Sequence, residues 1–272
     1  MAGRVEGKVA LITGAARGQG RAHAVRLAEE GADIIAVDAC AVITEDVQYP
    51  PATPDDLAET ARLVKETGRR VVTAVVDIRN LEKLRRAVDD GVLELGKVDI
   101  VVANAAITIT APWRSVTPRI FQDTMDVNVT GTWNTVMVSA DHLVRNGSGS
   151  IILVSSVAGL KGLPFLVPYV ASKHAVTGMA RAFAHELARH NIRVNSLHPT
   201  GVRTPMASTI GTDEVKKAMA GDPRLGAMFD KSLPIDVTEP EDQANAVLFL
   251  ASDESRYVTA VAFPVDAGAS QY

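Results

Sequence analysis

The two side chains best suited to chemistry are a phenol and an amine, Tyr169 and Lys173, four residues apart. Four residues make about one helical turn, so both side chains would lie on one face of a helix. A free tyrosine has a pKa of about 10 and is a poor acid or base at neutral pH. A nearby positive charge favours the phenolate, and the pair therefore predicts general acid–base catalysis by Tyr169.

Ser156 precedes Tyr169 by thirteen positions and is the second of two serines that follow the apolar run 150–154. A hydroxyl at the end of a strand can donate a hydrogen bond to a substrate oxygen as negative charge develops there. A tyrosine and a lysine at helical spacing are common by chance, so the catalytic interpretation depends on what the rest of the chain positions beside them.

A glycine-rich turn near the N-terminus supplies that context. The apolar run 8–13 leads into Gly14, Gly18 and Gly20, and a helical pattern follows directly. Glycines allow a tight turn and let backbone N–H groups approach a pyrophosphate, while the helix N-terminus adds about half a positive charge. Strand, turn and helix in this order predict a dinucleotide site. An oxidised nicotinamide there would add to the effect of Lys173 on the pKa of Tyr169.

Asp38 ends the second apolar run, roughly 20 residues after the glycines, where a carboxylate can accept hydrogen bonds from the adenosine ribose. The same carboxylate would repel a 2′-phosphate, so the sequence favours NAD over NADP. Arg17 is a contrary signal, because a cation in the turn could contact such a phosphate. Asp77 ends the third run and could hold the adenine amino group, and the small residues after Asn104 would let the cofactor lie against the backbone.

Short runs rich in Val, Ile and Ala alternate with longer amphipathic segments along the chain. They are apolar on both faces, as strands inside a parallel sheet are. The alternation predicts an α/β domain with helices on both faces of the sheet. The expected strands are Lys8–Thr13, Asp33–Val37, Arg70–Val76, Val98–Ala103, Ser150–Val154, Ile192–Leu197 and Val261–Val265; the expected helices are Gly18–Glu30, Asp55–Glu66, Leu81–Leu95, Phe121–Arg145, Tyr169–His190 and Glu241–Ala251.

Two segments interrupt the alternation within this single domain, residues 1–272. An insertion at about 39–55 is much longer than the usual strand-to-helix connection of about 2–6 residues. The segment at about 201–238 contains scattered Gly, Pro and Met and is interpreted as a substrate lid. A plain surface insertion is the alternative for either segment.

Composition excludes several classes of function. The net charge is −4 without a basic block, so nucleic acid and anionic membranes are not expected partners. The single cysteine, Cys40, cannot form an internal disulfide, and neither a membrane span nor a signal-peptide core is visible, which predicts a cytoplasmic location. The six histidines show no metal-ligand spacing, so no metal is expected.

Together these motifs resemble the short-chain dehydrogenase/reductase family over essentially the full length. The matching residues are 13–20, Asp77, Asn104-Ala105-Ala106, Asn128, Ser156, Tyr169, Lys173 and Pro199-Thr200-Gly201. The family usually has Asn-Ala-Gly where this chain has Ala106, and Pro-Gly where it has Pro199-Thr200-Gly201.

The resemblance implies a Rossmann-type, doubly wound parallel sheet of seven strands in the order 3-2-1-4-5-6-7. It implies that Tyr169 is the acid/base, that Ser156 orients the substrate, that Lys173 holds the nicotinamide ribose and that Asn128 binds a relay water. Residues 126–132, rich in β-branched types, would form a distorted turn that frees a carbonyl for this water. The NAD-binding residues are then expected to be Gly14, Ala16, Arg17, Gly18, Gln19, Gly20, Asp38, Asp77, Ile78, Asn104, Ala105, Ala106, Tyr169, Lys173, Pro199, Gly201, Val202, Thr204 and Met206.

The long insertion and the segments 18–28 and 198–202 are similar to the mycofactocin-associated branch of this family, which includes carveol dehydrogenase-like enzymes. The resemblance implies an insertion that covers NAD and hinders its exchange, an external redox carrier that reoxidises it, and a homotetramer. The expected substrate is a hydrophobic secondary alcohol such as a terpenoid, which would be oxidised to a ketone. The residues expected to line its pocket are Trp113, Leu163, Phe165, Met206, Met228 and Phe229.

Two other functions remain open from the sequence. One is an NADPH-dependent reductase of ketoacyl substrates, which Arg17 keeps in view. The other is an NAD-binding redox sensor without catalysis; the presence of Ser156, Tyr169 and Lys173 argues against it, because a sensor does not need them.

Overall fold

Seven runs of Val, Ile, Leu and Ala form the strands of one parallel sheet in the computed structural model, which describes residues 3–207 and 212–271. The strands are β1 Val9–Thr13, β2 Asp33–Asp38, β3 Val71–Val75, β4 Ile100–Ala103, β5 Gly149–Val154, β6 Ile192–Pro199 and β7 Ala262–Val265. Their order is β3-β2-β1-β4-β5-β6-β7, which confirms the expected doubly wound fold. The order reverses beside β1, and a cleft forms there at the carboxyl ends of the strands.

The two edge strands correct one expectation. The five inner strands are almost entirely buried, whereas β3 and β7 contain no fully buried residue. An edge strand has a neighbour on one side only, so its side chains are covered less completely than those in the middle of the sheet. Burial on both faces is therefore a property of the inner strands alone.

Helices cover both faces of the sheet and enclose two apolar clusters, one on each side. The main helices are α1 Gly18–Glu29, α2 Pro54–Glu66, α3 Leu81–Leu95, α4 Pro118–Met125, α5 Gly131–Asn146, α6 Val167–Leu187, α7 Asp213–Gly221, α8 Pro223–Ala227 and α9 Pro240–Ala251. Polar side chains cap several N-termini: Thr53 forms a capping box with Asp56 before α2, and Asn80 and Thr117 cap α3 and α4.

The long helix expected over Phe121–Arg145 is interrupted. It begins earlier, at Pro118, and a π-helical segment, Asp126–Thr130, separates α4 from α5. β-branched side chains and a glycine make this stretch poor α-helical material, as the sequence indicated, and a π segment is the form that the distortion takes. The expectation of a continuous helix was wrong, and that of a distorted turn is confirmed.

The two interruptions of the alternation differ in structure. Residues 39–53 form no regular helix or strand, whereas residues 200–239 contain α7 and α8. In the part of the chain that the structure describes, no helix is both long and apolar enough to span a membrane.

Candidate active site

The glycine turn packs against the end of β4 with no room for side chains. Gly14 has φ +67°, and a Cβ there would lie 2.9 Å from the Cα of Ala105. A Cβ on Gly20 would lie 2.0 Å from the carbonyl oxygen of Gly14. Helix α1 starts at Gly18 with no side-chain cap, so the N–H groups of its first turn remain for a ligand. This cradle fits a dinucleotide pyrophosphate.

Asp38 ends β2 and borders the same cleft. Its carboxylate accepts hydrogen bonds from the backbone N–H groups of Ala16 (3.0 Å) and Cys40 (3.0 Å). Ala16 itself is fully buried and does not line the cleft, so it acts on the site through Asp38. The carboxylate is thereby fixed where a ribose hydroxyl would donate to it.

Most of the expected cofactor residues border one cleft of about 1400 Å³, part of which is open to solvent. Those that line it are Gly14, Arg17, Gly18, Gln19, Gly20, Asp38, Asp77, Ile78, Asn104, Ala105, Ala106, Tyr169, Lys173, Thr204 and Met206. Two of them are also braced by protein groups. Asp77 pairs with Arg79 (Nη2–Oδ2 2.6 Å), and the side-chain amide of Asn104 donates to the carbonyl of Thr13 (2.9 Å).

Tyr169 and Lys173 lie one turn apart on α6, as their spacing predicted. The Lys173 ammonium nitrogen is 5.4 Å from the centre of the Tyr169 ring and donates a hydrogen bond to the Val154 carbonyl (2.8 Å). Lys173 is almost fully buried. The lysine is thus held in place by β5 while the phenol faces the cleft.

The expected lowering of the Tyr169 pKa is not produced by the protein groups. Burial raises the pKa of Tyr169 to about 12, and the phenol of Tyr49 also raises it, while a hydrogen bond with Ser156 acts in the opposite direction. Burial lowers the pKa of Lys173 to about 7, because a charged ammonium is poorly solvated there. The protein groups alone therefore favour a neutral Tyr169 phenol. Of the two positive charges that were expected to lower the pKa of Tyr169, the oxidised nicotinamide is the one that would have to do so.

Ser156 follows β5 and is held by backbone contacts on both sides. Its hydroxyl accepts a hydrogen bond from Ala158 N (3.1 Å) and lies 3.4 Å from the Pro199 carbonyl oxygen. Its own carbonyl contacts Nδ1 of His198 (2.7 Å), whose Nε2 contacts the Ser196 hydroxyl (2.8 Å). A carbonyl can only accept, so Nδ1 carries the proton. The sequence analysis gave His198 no role, since its contact with Ser156 spans 42 residues.

A second cavity of about 1000 Å³, part of it open to solvent, lies beyond Tyr169. Of the three predicted catalytic residues Ser156, Tyr169 and Lys173, Ser156 lines only the second cavity and Lys173 lines only the first cleft. Tyr169 lines both. Pro199, Gly201 and Val202, which were also expected to contact NAD, border the second cavity and not the first, and their role in NAD binding stays a prediction.

The expected pocket residues are only partly correct. Leu163, Met206, Met228 and Phe229 line the second cavity, but Trp113 and Phe165 line neither. Trp113 is 68% exposed and stacks against Arg114, and Phe165 is buried. The apolar type of a residue does not show which way its side chain points from the segment, so the predictions for Trp113 and Phe165 were wrong.

Asn128 lies in the π-helical segment and is fully buried, outside the lining of both cavities. Its side-chain amide donates to the Ile107 carbonyl (2.9 Å) and to Ser172 Oγ (3.0 Å), and its side-chain oxygen accepts from Ile107 N (2.8 Å). The side chain therefore joins the loop that follows β4 to α6. A relay water would have to bind the backbone here, not the side chain.

The insertion 39–53 is bonded across the cleft to the loop that follows β4. Gln48 forms a reciprocal pair with the backbone of Thr110 (3.0 and 3.2 Å), and Asp46 pairs with Arg119 (2.8 Å). Arg17 donates to the carbonyls of Pro50 and Pro51, so this cation is occupied by the insertion. Tyr49 lines the first cleft. These contacts were not predicted, because they join segments far apart in the sequence.

No group of three or more His, Cys, Asp or Glu side chains is placed to hold a metal ion among residues 3–207 and 212–271. The residues brought together are a glycine cradle, the Asp38 carboxylate at the cleft, and a set of Ser156, Tyr169 and Lys173 in which Ser156 and Lys173 are buried. This arrangement can bind a dinucleotide on one side of Tyr169 and a second molecule on the other.

Comparison with known proteins gives consistent matches. A family model described as short chain dehydrogenase matches residues 8–215. A short chain dehydrogenase from Mycobacterium paratuberculosis, solved bound to NAD, is 57% identical, with a TM-score of 0.96 and coverage of 99% of this chain and 100% of that one. Carveol dehydrogenase from Mycobacterium avium, solved in complex with NAD, is 50% identical, with a TM-score of 0.91 and the same coverage. The (-)-trans-carveol dehydrogenase of Rhodococcus erythropolis is 46% identical over 97% of this chain and 98% of its own length.

Proposed function

The chain belongs to the short-chain dehydrogenase family, and from this premise we propose that it oxidises a hydrophobic secondary alcohol to a ketone. It is an NAD-dependent alcohol oxidoreductase, as its NAD-bound and carveol-oxidising relatives indicate. The observation that carries the proposal is the position of Tyr169, which borders both the dinucleotide cleft and the second cavity. A proton-transferring group at that junction can reach an alcohol held against a nicotinamide.

Residues suited to each part of NAD line the first cleft. The glycine cradle and the uncapped start of α1 would hold the pyrophosphate, Asp38 would accept hydrogen bonds from the adenosine ribose, and Lys173 would hold the nicotinamide ribose. When bound, NAD would supply the acceptor for the hydride of the carbinol carbon and a positive charge beside Tyr169.

The chain's own residues handle the proton. Tyr169 takes the proton of the substrate hydroxyl during oxidation and returns it during ketone reduction. Ser156, whose hydroxyl is oriented by Ala158 N, donates a hydrogen bond to the substrate oxygen while charge develops there. Lys173, fixed by the Val154 carbonyl, contributes positive charge near the phenol when it is protonated.

The second cavity suits an apolar substrate body. Leu163, Leu166, Met206, Met228 and Phe229 are among its lining residues. Polar residues, among them Ser156 and Tyr169, line the same cavity, and apolar walls combined with placed polar groups are typical of sites for small ligands. A carveol-like alcohol, the substrate class named for two relatives, has this character.

We further propose that NAD stays bound between turnovers and that an external carrier of the mycofactocin type reoxidises it. The contacts of Gln48, Asp46 and Arg17 support this proposal, since they hold the insertion across the mouth of the cleft. The decisive measurement is the nucleotide content of protein purified without added NAD. About one NAD per chain supports the proposal, whereas nucleotide-free protein that turns over added NAD with simple alcohols rejects retention.

The preference for NAD over NADP is assigned to Asp38. We expect Asp38→Ala to weaken NAD binding and to relax discrimination against NADP by about tenfold or more, because a ribose acceptor is lost together with the charge that repels a 2′-phosphate. Equilibrium titration of nucleotide-free protein with both dinucleotides measures this. An unchanged ratio of the two dissociation constants would show that the ribose lies elsewhere.

A homotetramer remains a prediction, with a dimer face built from the helices that contain Asn128 and Tyr169. Three large apolar side chains on α4 and α5 support it: Phe121, Trp133 and Met137 are 42%, 40% and 37% exposed. Exposed apolar side chains grouped on neighbouring helices favour burial against a partner. Light scattering of the purified protein gives the assembly mass directly.

A further inference from the structure

Two lysines line the substrate cavity, although its walls are otherwise mostly apolar. The lining includes Lys161 and Lys231 and one carboxylate, Asp236. The Lys161 ammonium donates a hydrogen bond to the Ala269 carbonyl (2.5 Å), and the Lys231 ammonium lies 3.4 Å from the Phe229 carbonyl. Within residues 3–207 and 212–271, neither ammonium has a carboxylate oxygen within salt-bridge distance, 4.0 Å. Both lysines are half-buried.

The carboxylates near these lysines do not neutralise them by contact. Burial lowers the pKa of Lys161, and the charge of Lys231 lowers it further, while Asp266 and Asp230 raise it from a distance. The carboxylate of Asp266 accepts hydrogen bonds from Gly268 N (3.0 Å) and Ser270 N (2.8 Å). Asp230 and Asp236 are exposed to solvent. A partly desolvated ammonium without a contacting anion is unfavourable, and a bound anion would relieve it.

We propose that the natural alcohol carries a carboxylate on its apolar body, and that Lys161 and Lys231 bind this group while Ser156 and Tyr169 bind the hydroxyl. This inference rests on the proposed alcohol oxidation and narrows its substrate to hydroxy acids. A neutral terpenoid alcohol would fill the apolar walls but would leave both ammonium groups without an anion. A phosphate, with its higher charge, is disfavoured by Asp236 in the same lining.

The two lysines come from different parts of the fold. Lys161 follows the turn after β5, and its contact with Ala269 ties it to the segment after β7. Lys231 lies in the lid segment after α8. A carboxylate bound by both would therefore join the lid to the sheet.

The test compares matched pairs of probes. Secondary alcohols on cyclohexane, with a carboxylate on the ring or on side chains of increasing length, are compared with their neutral carboxamides. The rate at which each probe reduces the bound nicotinamide is followed by absorbance. The binding of the corresponding keto acids and keto amides to the NAD-loaded protein is measured by calorimetry. We expect at least one acid to react and bind at least tenfold better than its amide, with a preference that shrinks as salt is added.

Variants assign the effect to the lysines. Lys231→Met should lower the ratio of the acid's rate to the amide's rate at least tenfold, since methionine keeps the length and the apolar stem but removes the charge. Lys161→Met should act in the same way, with Lys161→Arg retaining the preference. Lys65→Met, an exposed position on α2 away from both cavities, is the matched control and should change nothing.

The outcomes separate this inference from the proposed function. If neutral alcohols react and no acid in the series outperforms its amide, the hydroxy-acid assignment is wrong while alcohol oxidation stands. Equal losses for acid and amide in the methionine variants would also overturn it. If no probe is oxidised, the proposed function fails. The binding test still decides on the anion site: keto-acid binding that is lost in Lys231→Met supports it, and binding that is unchanged rejects it.

Discussion

The insertion 39–53 and the lid 200–239 both interrupt the regular fold, but they are attached in different ways. The insertion is bonded at its far end to the opposite side of the cleft, through Gln48 with Thr110 and Asp46 with Arg119. The lid is joined at its base, where Gly201 and Thr238 meet (Thr238 N to Gly201 O 2.8 Å). Farther from the base, Leu233 N donates to the Ala267 carbonyl (3.0 Å), and the Ser115 hydroxyl donates to Glu214 on α7 (2.6 Å). Most of the residues of α7 and α8 are exposed.

This difference matches what each segment covers. The insertion borders the dinucleotide cleft, and the lid borders the second cavity. Under the proposal that NAD stays bound, the contacts of the insertion are the ones that oppose its release, and the lid, with its mostly exposed helices, is the segment that moves to admit the substrate.

The largest expected effect on turnover is at Tyr169, which borders both the cleft beside the insertion and the cavity beside the lid. Tyr169→Phe should lower turnover by about a thousandfold, because general acid–base catalysis contributes about 10²–10⁴-fold and the ring itself is kept. Bound NAD should remain at the wild-type level, since only a hydroxyl is removed. Single-turnover reduction of the bound nicotinamide and the nucleotide content measure the two quantities. Retained turnover would remove Tyr169 from the chemistry.

The second prediction tests the attachment of the insertion. Gln48→Leu removes both hydrogen bonds with the Thr110 backbone, and Gln48 does not line the cleft. Two hydrogen bonds contribute about 0.5–1.5 kcal/mol each, so NAD should dissociate about tenfold faster. Release can be followed by displacement with a labelled dinucleotide.

The control for this experiment is Arg119→Met. It removes only the ion pair with Asp46, in which the Arg119 side chain is 62% exposed. Exposed pairs are worth about 0–1 kcal/mol, so the rate should change by less than about fivefold. An unchanged release rate in Gln48→Leu would mean that the insertion does not retain the cofactor.

The sequence predicted the parts of the molecule that depend on local patterns. The apolar runs of β1, β2, β4, β5 and β6 could form only buried strands, and their ends differ from the predicted ends by at most two residues. The glycine turn was also predictable from its local sequence, because Gly14 and Gly20 occupy positions where any Cβ would collide with backbone. Each of these features is determined by residues that are neighbours in the sequence.

Contacts between distant segments were not predictable in the same way. Nothing near Gln48 indicates that it would meet Thr110, 62 residues away, and nothing near Lys161 indicates that it would reach Ala269. The same limit explains the errors for Trp113 and Phe165, which were assigned to the pocket by residue type alone. The second cavity is lined by residues from segments far apart in the chain, so its charged residues appeared only with the structure.

The third prediction concerns His198, which lies on the rigid sheet just before the lid begins. Replacing it in His198→Phe removes the hydrogen bond to the Ser156 carbonyl and should lower kcat about tenfold, because the serine that orients the substrate loses its backbone support. His198→Asn can still donate and accept, and should recover part of the loss. KM and NAD content should stay close to wild type.

The His198 variants distinguish positioning from general stability. A purely structural role would lower the unfolding temperature and leave kcat per folded, NAD-loaded chain unchanged. Burial lowers the pKa of His198 to about 4, so the ring is neutral throughout the physiological range. The loss in His198→Phe should therefore be the same from about pH 6 to pH 9.

The smallest effect is expected at the base of the lid. Arg203→Met removes the ion pair with Glu239 (2.8 Å), in which the side chains are 69% and 47% exposed. Such a pair contributes about 0–1 kcal/mol, and the backbone bonds between residues 201 and 238 remain. KM should change by about twofold or less, with NAD release unaltered. If this variant released NAD as quickly as Gln48→Leu does, the two segments would not act separately, because loosening the lid would also open the cofactor cleft.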